Sequence, residues 1–595
     1  MAAAKVETTA PEVKFDGTAL SARELEQLVS LRVERSVGLA GRATLRFLDP
    51  GYVAATTGNF GLGKEVIIGV VGGKQLFRGT VTGVDLDQSE DEVPMLTVIV
   101  DDPAYKLTHG TQVRTFQNMK YGDVMKKIAG EAGLKADVGN LGKVTNEYLL
   151  QTGTNLDYLD QLVRRSGAVW WVDDASLVAR PADATVGSVE LTVSDLDPAK
   201  QLTRFAVRAT GLRSKETTVT GWDTQRETKL VGKSAPASTG ASSDFVAPFN
   251  GSKPTSALRT EASALVADPP PNSVQEAQEL ASAMQLDAEA DAVVARGTCG
   301  INAAITPMAE VRVTNMGPSS GKYVVTEVRH DYSRRGFTTS FVAGPRRPRG
   351  LVDALGSAQP DPGFSTTRLV SGVVTNINDP KKLGRVKVKY AGPTQDIESD
   401  WGRLVTLGAG AERGITFQPE VNDEVLVGFE RGDTRHPVIF GGLFGDTNKL
   451  GVNGVNPAGN KVVSRRLTSR LGHFIEFGDD DKPTGQHVLV QLSNGHKFLL
   501  GAEQCDLDLQ AGKPFTLKAG NSSLAIDKQG NITIEGVNIT LKAKSALKLE
   551  GLSVETKAQT TMKVEAGASL QVKGSMVQLQ SSGPMAVKGM PVAIN

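Results

Sequence analysis

The residues of this chain best suited to chemistry are few, and their spacing argues against a reaction centre. His473, His487 and His496 lie close together in sequence, and imidazoles brought together around a three-fold axis can hold an ion. Each follows or sits within a hairpin pattern, so they read as turn or packing residues. Asp479-Asp480-Asp481 has the composition of a cation site but precedes Lys482 at an expected hairpin tip, where solvated charge is the simpler reading. Glu535, Glu550, Glu555 and Glu565 supply the carboxylates that glycan cleavage requires, yet they alternate with lysines along one polar face. Asp101-Asp102 before Pro103 reads as a strand end. The glycine-rich GLGKEVIIGVVGG run from Gly61 to Gly73 departs from the dinucleotide fingerprint and reads as strands with a Gly72-Gly73 hairpin turn. There is no GxSxG elbow, no HExxH and no P-loop. Cys299 and Cys505 stand far apart, which supports neither a disulfide framework nor a zinc site. No catalysis, no cofactor and no metal are expected.

Composition narrows the classes further. At 595 residues the chain is too long for one domain. Apolar content of 39% with 22% charge indicates folded domains rather than disorder, and 64 glycines with only 5% aromatics suit short strands and tight corners. The formal net charge of zero leaves no cationic excess to neutralise phosphates, so nucleic acid is not expected as a partner. No apolar run is long enough to span a bilayer, and the N-terminus lacks the apolar core of a secretory signal, so synthesis in the cytoplasm is expected.

The elements that must position any function are mainly β. Residues 512–595 alternate apolar and polar positions, as at Ile532/Ile534, Leu547/Leu549, Met562/Val564, Leu570/Val572 and Met585/Val587. Gly536, Ser545, Gly551, Gly567, Gly574 and Gly583 punctuate them about every eight residues. A single-chain β-helix needs roughly 18–25 residues per coil. Eight residues make one strand and one corner, so one chain cannot enclose its own apolar face and three can. The expectation is an intertwined homotrimeric β-helix, or β-prism, on the order of 50 Å long at ~4.8 Å per layer. A β-sandwich is the alternative, but the stretch lacks the Asn-Gly turns that hairpins favour. The end of the run, Met590, Pro591, Val592, Ala593, Ile594 and Asn595, would leave three sets of strand ends bare, so a capping partner is expected there.

Upstream, residues 1–117 read as a first β-barrel. An insertion at 118–190 bears helices at Tyr121–Leu134 and from Thr154 or Asn155 to Gly167, followed by a hairpin turning at Asp173–Ala175. Residues 191–348 read as a second barrel containing a Ser/Gly/Pro-rich tract at 232–271 and a helix at 273–295. A linker at 349–365, a compact β unit at 366–447, and a linker with hairpins at 448–511 complete the chain.

The segment 366–447 carries Asp379-Pro380, Leu383-Gly384-Arg385-Val386, Trp401-Gly402-Arg403, Pro419-Glu420, Asp423-Glu424-Val425, Gly432-Asp433 and Pro437 in order. This resembles the OB-fold of the VgrG and phage baseplate hub-spike family. KYGDVMKKIAGEAGL, NLDYLDQLVRRSGAVWW and GKYVVTEVRHDYSRRGFTTSF resemble its late-control D-type hub, here the two barrels with their helical insertions. The resemblance implies a trimeric hub and puncturing spike at the tip of the inner tube of a contractile injection system, whether phage tail, tailocin, extracellular injection system or type VI-like. It implies contacts with inner tube and baseplate proteins, a PAAR-type tip protein on Met590–Asn595, possible effector cargo, and contact with a target membrane only during puncture. The motif residues Asp379, Gly384, Arg385, Trp401, Pro419, Asp423, Glu424, Gly432 and Asp433 are expected to be structural. The interval at 448–465 is too short for the lysozyme some phage spikes carry, and no effector is expected after Asn595. The short needle favours an extracellular or phage-like machine over type VI secretion. The alternative function is a β-helical tailspike enzyme that cleaves cell-surface glycan.

Overall fold

The computed structural model describes residues 10–594 apart from 91, 194, 210–215, 224–225, 235–263, 268–270, 292, 345–368 and 393–396. The linker expected at 349–365 and most of the tract at 232–271 therefore lie outside the described residues, as does Asn595. The chain divides into two units, Met1–Leu450 and Gly451–Asn595.

In the first unit the two expected barrels share one sheet. Its strands run Leu202–Ala209, Val293–Gly300, Gly336–Ala343, Gly321–Ser333, Leu28–Ser36, Arg42–Leu48, Met95–Asp101, Gln75–Asp87, Glu65–Val70, Pro11–Phe15 and Thr18–Ala19. The splice is an antiparallel pairing of Leu28–Ser36 with Gly321–Ser333, with Val33 opposite His330. Alternation still separates two cores. One holds Val33, Leu45, Phe47, Val66, Ile68 and Val98, and the other Leu191, Val311, Tyr323, Val328 and Phe341. The Val70–Gln75 turn falls where Gly72-Gly73 was expected, with Gly72 at φ +71°.

The three longest described helices are Tyr121–Glu131, Asn155–Arg165 and Val274–Ala290. The first stops three residues before Leu134 because Gly133 turns left-handed at φ +73°. The second is capped by Thr154, whose hydroxyl accepts the Asp157 N–H at 3.1 Å. Gly167, just past its end, lies so close to the third helix that an added Cβ would sit 3.0 Å from the Cβ of Ala283. That third helix turns a mixed polar and apolar face inward. Val274 is exposed, while Glu276, Ala277, Leu280, Ala281, Ala283 and Gln285 are buried. It also ends at Ala290, short of residue 295, and a strand starts at Val293.

The 366–447 unit is a five-stranded sheet ordered Lys387–Tyr390, Val370–Asn376, Glu424–Phe429, Pro437–Gly442, Arg403–Leu404. Its interior is Val374, Val386, Val388, Val425, Val427 and Ile439, joined by Tyr148 and Leu150 from the insertion's Asn146–Gly153 strand. The barrel core is thus completed by a distant part of the chain.

The second unit begins with a five-stranded antiparallel meander from Ser464 to Asp508 and a three-stranded one from Phe515 to Glu535. From 537 to 594 no described residue lies in a strand, and every one is exposed. The chain runs extended between bends at 537–538, 544–545, 551–552, 559–560, 567–568, 575–576, 582–583 and 590–591, so corners recur every seven or eight residues. Ser545, Gly551, Gly567 and Gly583 lie at these corners. The hairpins at 515–535 depart from the octad scheme, whose regular part starts only after Glu535.

Candidate functional site

Asp379 organises the motif that resembles the injector OB domain. Its carboxylate accepts backbone N–H bonds from Lys381 at 3.0 Å and Leu383 at 2.9 Å, which forces a tight loop. Gly384 completes the loop at φ +73°, a conformation that favours glycine. Arg385 then folds back to donate Nε and Nη2 to the same carboxylate at 3.0 and 2.7 Å. Hydrogen bonding from Arg385 holds the Asp379 carboxyl far below its ordinary range. The guanidinium of Arg385 and the ammonium of Lys387 lie 5.8 and 5.6 Å from the centre of the Trp401 ring. Pro419 leads into a turn in which Asp423 accepts the Glu420 N–H at 2.8 Å. Asn422 is left-handed there, and Glu424 starts the next strand. These contacts hold the loop and the turn of this sheet.

Gly432 and Asp433 do something the motif alone did not reveal. Gly432 is left-handed at φ +74° and turns the chain into the first unit's interior. Asp433 and Arg435 form a bonded pair at 2.8 Å, both fully buried. Arg435 also donates to Glu276 Oε1 at 3.0 Å, and Arg165 reaches the same oxygen at 3.3 Å. The Tyr121 hydroxyl donates to it at 3.0 Å, and the Asn272 N–H donates to Oε2 at 2.7 Å. With its amide oxygen on Arg435, Asn272 turns its NH2 toward His436 Nε2 at 2.6 Å. Two carboxylates and two guanidiniums thus balance in a buried cluster built by these three helices and one OB loop. Burial acts to raise the Glu276 carboxyl, but Arg435 and Arg165 outweigh it and keep it below its ordinary value. Burial likewise opposes Asp433, and Arg435 overrides it.

Arg165, Glu276 and Arg435 were missed by sequence reasoning. Glu276 sits in the first turn of a helix, where acids commonly face solvent, and only its burial among Tyr121, Arg165 and Arg435 reveals its role. A signal existed in the capping pattern Ser273-x-x-Glu276. Ser273 accepts the Glu276 N–H at 3.1 Å, but the glutamate points inward.

The remaining candidates are held in separate local contacts. His473 Nδ1 accepts the Ser493 N–H and His496 Nδ1 the Gln510 N–H, each at 3.0 Å, so each ring ties one hairpin to the next. His487 meets Glu476 at 3.3 Å. Asp479 pairs with Arg465, and Asp481 with Lys461 at 2.7 Å. Glu565 pairs with Lys563. Asp102 accepts the N–H groups of Gly41 and Ala104. Among the described residues no three metal-ligating side chains cluster, and no helix is long and apolar enough to cross a membrane. Met590, Pro591, Val592, Ala593 and Ile594 are all exposed.

Antiparallel barrels bearing helices, an OB domain sealed onto them, and a terminal run of octads define a class: the VgrG and phage-baseplate hub-spike proteins. Residues 370–444 match the family model described as the type VI secretion system/phage-baseplate injector OB domain. The model of the Alg8 N-terminal domain matches residues 5–334, more than half of the chain, and the chain belongs to that family. A stretch of 185 residues is 25% identical to the type VI secretion system spike protein VgrG5 of Pseudomonas aeruginosa, covering 29% of this chain and 23% of that protein. The chain thus matches about a quarter of that relative's length. Among solved structures, an E. coli component of the type VI secretion system is 13% identical, with a TM-score of 0.46 over 73% of this chain and 99% of that one. The 43 kDa tail protein of prophage MuSo2 from Shewanella oneidensis is 13% identical, with a TM-score of 0.43 over 57% of this chain and 99% of that one. A chain of the lidless PdpA-VgrG complex is 9% identical, with a TM-score of 0.47 over 88% of this chain and 97% of that one.

Proposed function

We propose that this protein is the homotrimeric hub and spike of a contractile injection machine, working by stiffness rather than catalysis. The observation that carries the reading is the run 537–594: corners every seven or eight residues, apolar and polar positions alternating, and not one residue covered. Such a strand run is unstable alone, and identical copies related by closed symmetry are the economical way to cover it. The meander before it supports the same conclusion. Leu467, Ile475, Val490, Phe498 and Leu507 stand directly opposite one another across its five strands, 39–55% exposed in the lone chain.

In this reading the barrels and insertion (1–348) form the hub, the OB unit (366–447) mounts the spike, and 512–595 form the needle. Residues Met590–Asn595 meet a PAAR-type tip protein, and the hub meets inner tube and baseplate proteins. The protein is made in the cytoplasm and assembled into a particle for delivery. The described carboxylates of the needle stand on its exposed polar positions, which favours a mechanical over a glycan-cleaving role.

Light scattering on the full-length protein is expected to give three times the chain mass of 62.9 kDa. A monomer would sink the proposal. Truncation after Ser582 should abolish binding of the tip protein while leaving the trimer, and retained binding would refute the tip assignment.

A further inference from the structure

The shared sheet of the first unit ends on one side at the strand Leu202–Ala209. Among the described residues that strand pairs only with Val293–Gly300, so its outer backbone edge is open. Phe205 and Val207 pack on the core behind it, while Arg204, Ala206 and Arg208 alternate with them and are exposed on the outer face. In the neighbouring strand Ala295 and Gly297 are buried and Arg296 is exposed. The register sets Ala206 directly opposite Arg296, with Arg204 opposite Thr298 and Arg208 opposite Val294. Three arginines therefore form a triangle at the rim of the sheet, with only the Ala206 methyl in front of Arg296. The hydroxyls of Thr298 and Ser340, 3.3 Å apart, lie beside it.

Elsewhere on this sheet arginines hold carboxylates. Arg32 and Arg329 share Asp331, Arg42 pairs with Asp101 and Arg78 with Glu65, all at 2.6–2.8 Å. Arg204, Arg208 and Arg296 have no acidic partner among the described residues. Along the row of Arg296 the first acid is Glu327, two strands further in beyond Val342. Charge on an edge strand is ordinary protection against stray pairing, and Arg204 and Arg208 alone would read so. Arg296 stands on the next strand inward, where there is no edge to protect.

We infer that this rim takes an acidic, extended segment of another protein as one more strand. Its main chain pairs with the open edge, and its carboxylates at three alternate positions meet the arginines. Two stand opposite Arg204 and Arg208, and the one between them reaches over Ala206 to Arg296. Nucleic acid would meet the same guanidiniums but would leave the backbone edge unpaired, so the peptide is favoured. The inference goes beyond the hub-and-spike reading and does not rest on it.

The test is a fluorescence-anisotropy titration of the full-length protein. The probe is a fluorescein-labelled peptide with glutamate at three alternate positions and threonine between them. Its isomer with the three glutamates adjacent carries the same charge. The alternating peptide should bind several-fold more tightly than the isomer. Arg204→Gln, Arg208→Gln and Arg296→Gln should each weaken it about threefold. Ala206→Glu, which places a carboxylate of the chain's own within the triangle, should weaken it most. Light scattering should give an unchanged native mass for all four variants. Equal binding of the two isomers, no binding, or binding of an oligothymidylate alone overturns the inference. So does a fall in native mass on changing the arginines, which would make the rim a contact between copies.

Discussion

Around Glu276 every charged side chain finds its partner inside one chain, whereas from 537 to 594 no residue finds cover at all. The first region is finished on folding, with four buried charges neutralised, Glu276 by guanidiniums more than a hundred positions away. The second has its corners and alternating apolar positions in place, but no residue of it lies in a strand or is covered. A chain built this way separates two tasks. On the trimeric reading proposed above, the first unit is completed by folding and the octads only by assembly.

Breaking the needle should have the largest effect. Met562→Asp with Val564→Asp places charge on its apolar face and should abolish the trimer by light scattering, while the melting of the first unit persists. Concurrent loss of both would erase the contrast between the two regions. Next is Arg435→Met, which leaves Asp433 and Glu276 buried with a single guanidinium between them. A loss of about 3–5 kcal/mol is expected in denaturant unfolding. Adding Asp433→Leu should recover part of it, because Arg165 still pairs with Glu276. Additive losses would mean the junction is not one network.

Asp379→Asn should cost about 2 kcal/mol by removing charged hydrogen bonds from the OB loop. The sign with pH is fixed by the lowered carboxyl. Its stabilisation is complete above the ordinary value of 3.8 and is lost as pH falls below it, so the variant should flatten the acid limb of a stability profile. His330 gives the effect spread most gradually over pH. Burial, with Arg35 nearby, lowers its imidazole from 6.5 to about 3, although Asp331 acts the other way. The unfolded chain binds a proton below 6.5 that the folded chain refuses, so stability should fall by about 1.4 kcal/mol per pH unit from 6.5 toward 3. His330→Gln keeps a partner for Thr339, 3.0 Å away, and should remove that slope.

What was legible in the sequence depended on whether the cause was local. The Thr154 cap and the Gly72-Gly73 turn rest on neighbours in sequence, and each sits where the residues pointed. The octad corners were legible for the same reason, since a bend needs only a small residue at the right interval. The shared sheet through Leu28–Ser36 and Gly321–Ser333 was not, because strand partners hundreds of residues apart leave no mark on either strand. Nor was the junction. Glu276 looks like an ordinary first-turn acid until Arg435 is brought beside it by the OB loop. Tyr148 and Leu150 read as part of the insertion, yet they complete another domain's core.

The central claim is that the octads are paired between chains. Hydrogen exchange of the native full-length protein over residues 537–594 tests it most directly. The account predicts backbone amides there that exchange orders of magnitude more slowly than an open chain, because inter-chain ladders protect them. Exchange at the open-chain rate in the native protein would contradict it, since the run would then be as uncovered in solution as it is in a single chain.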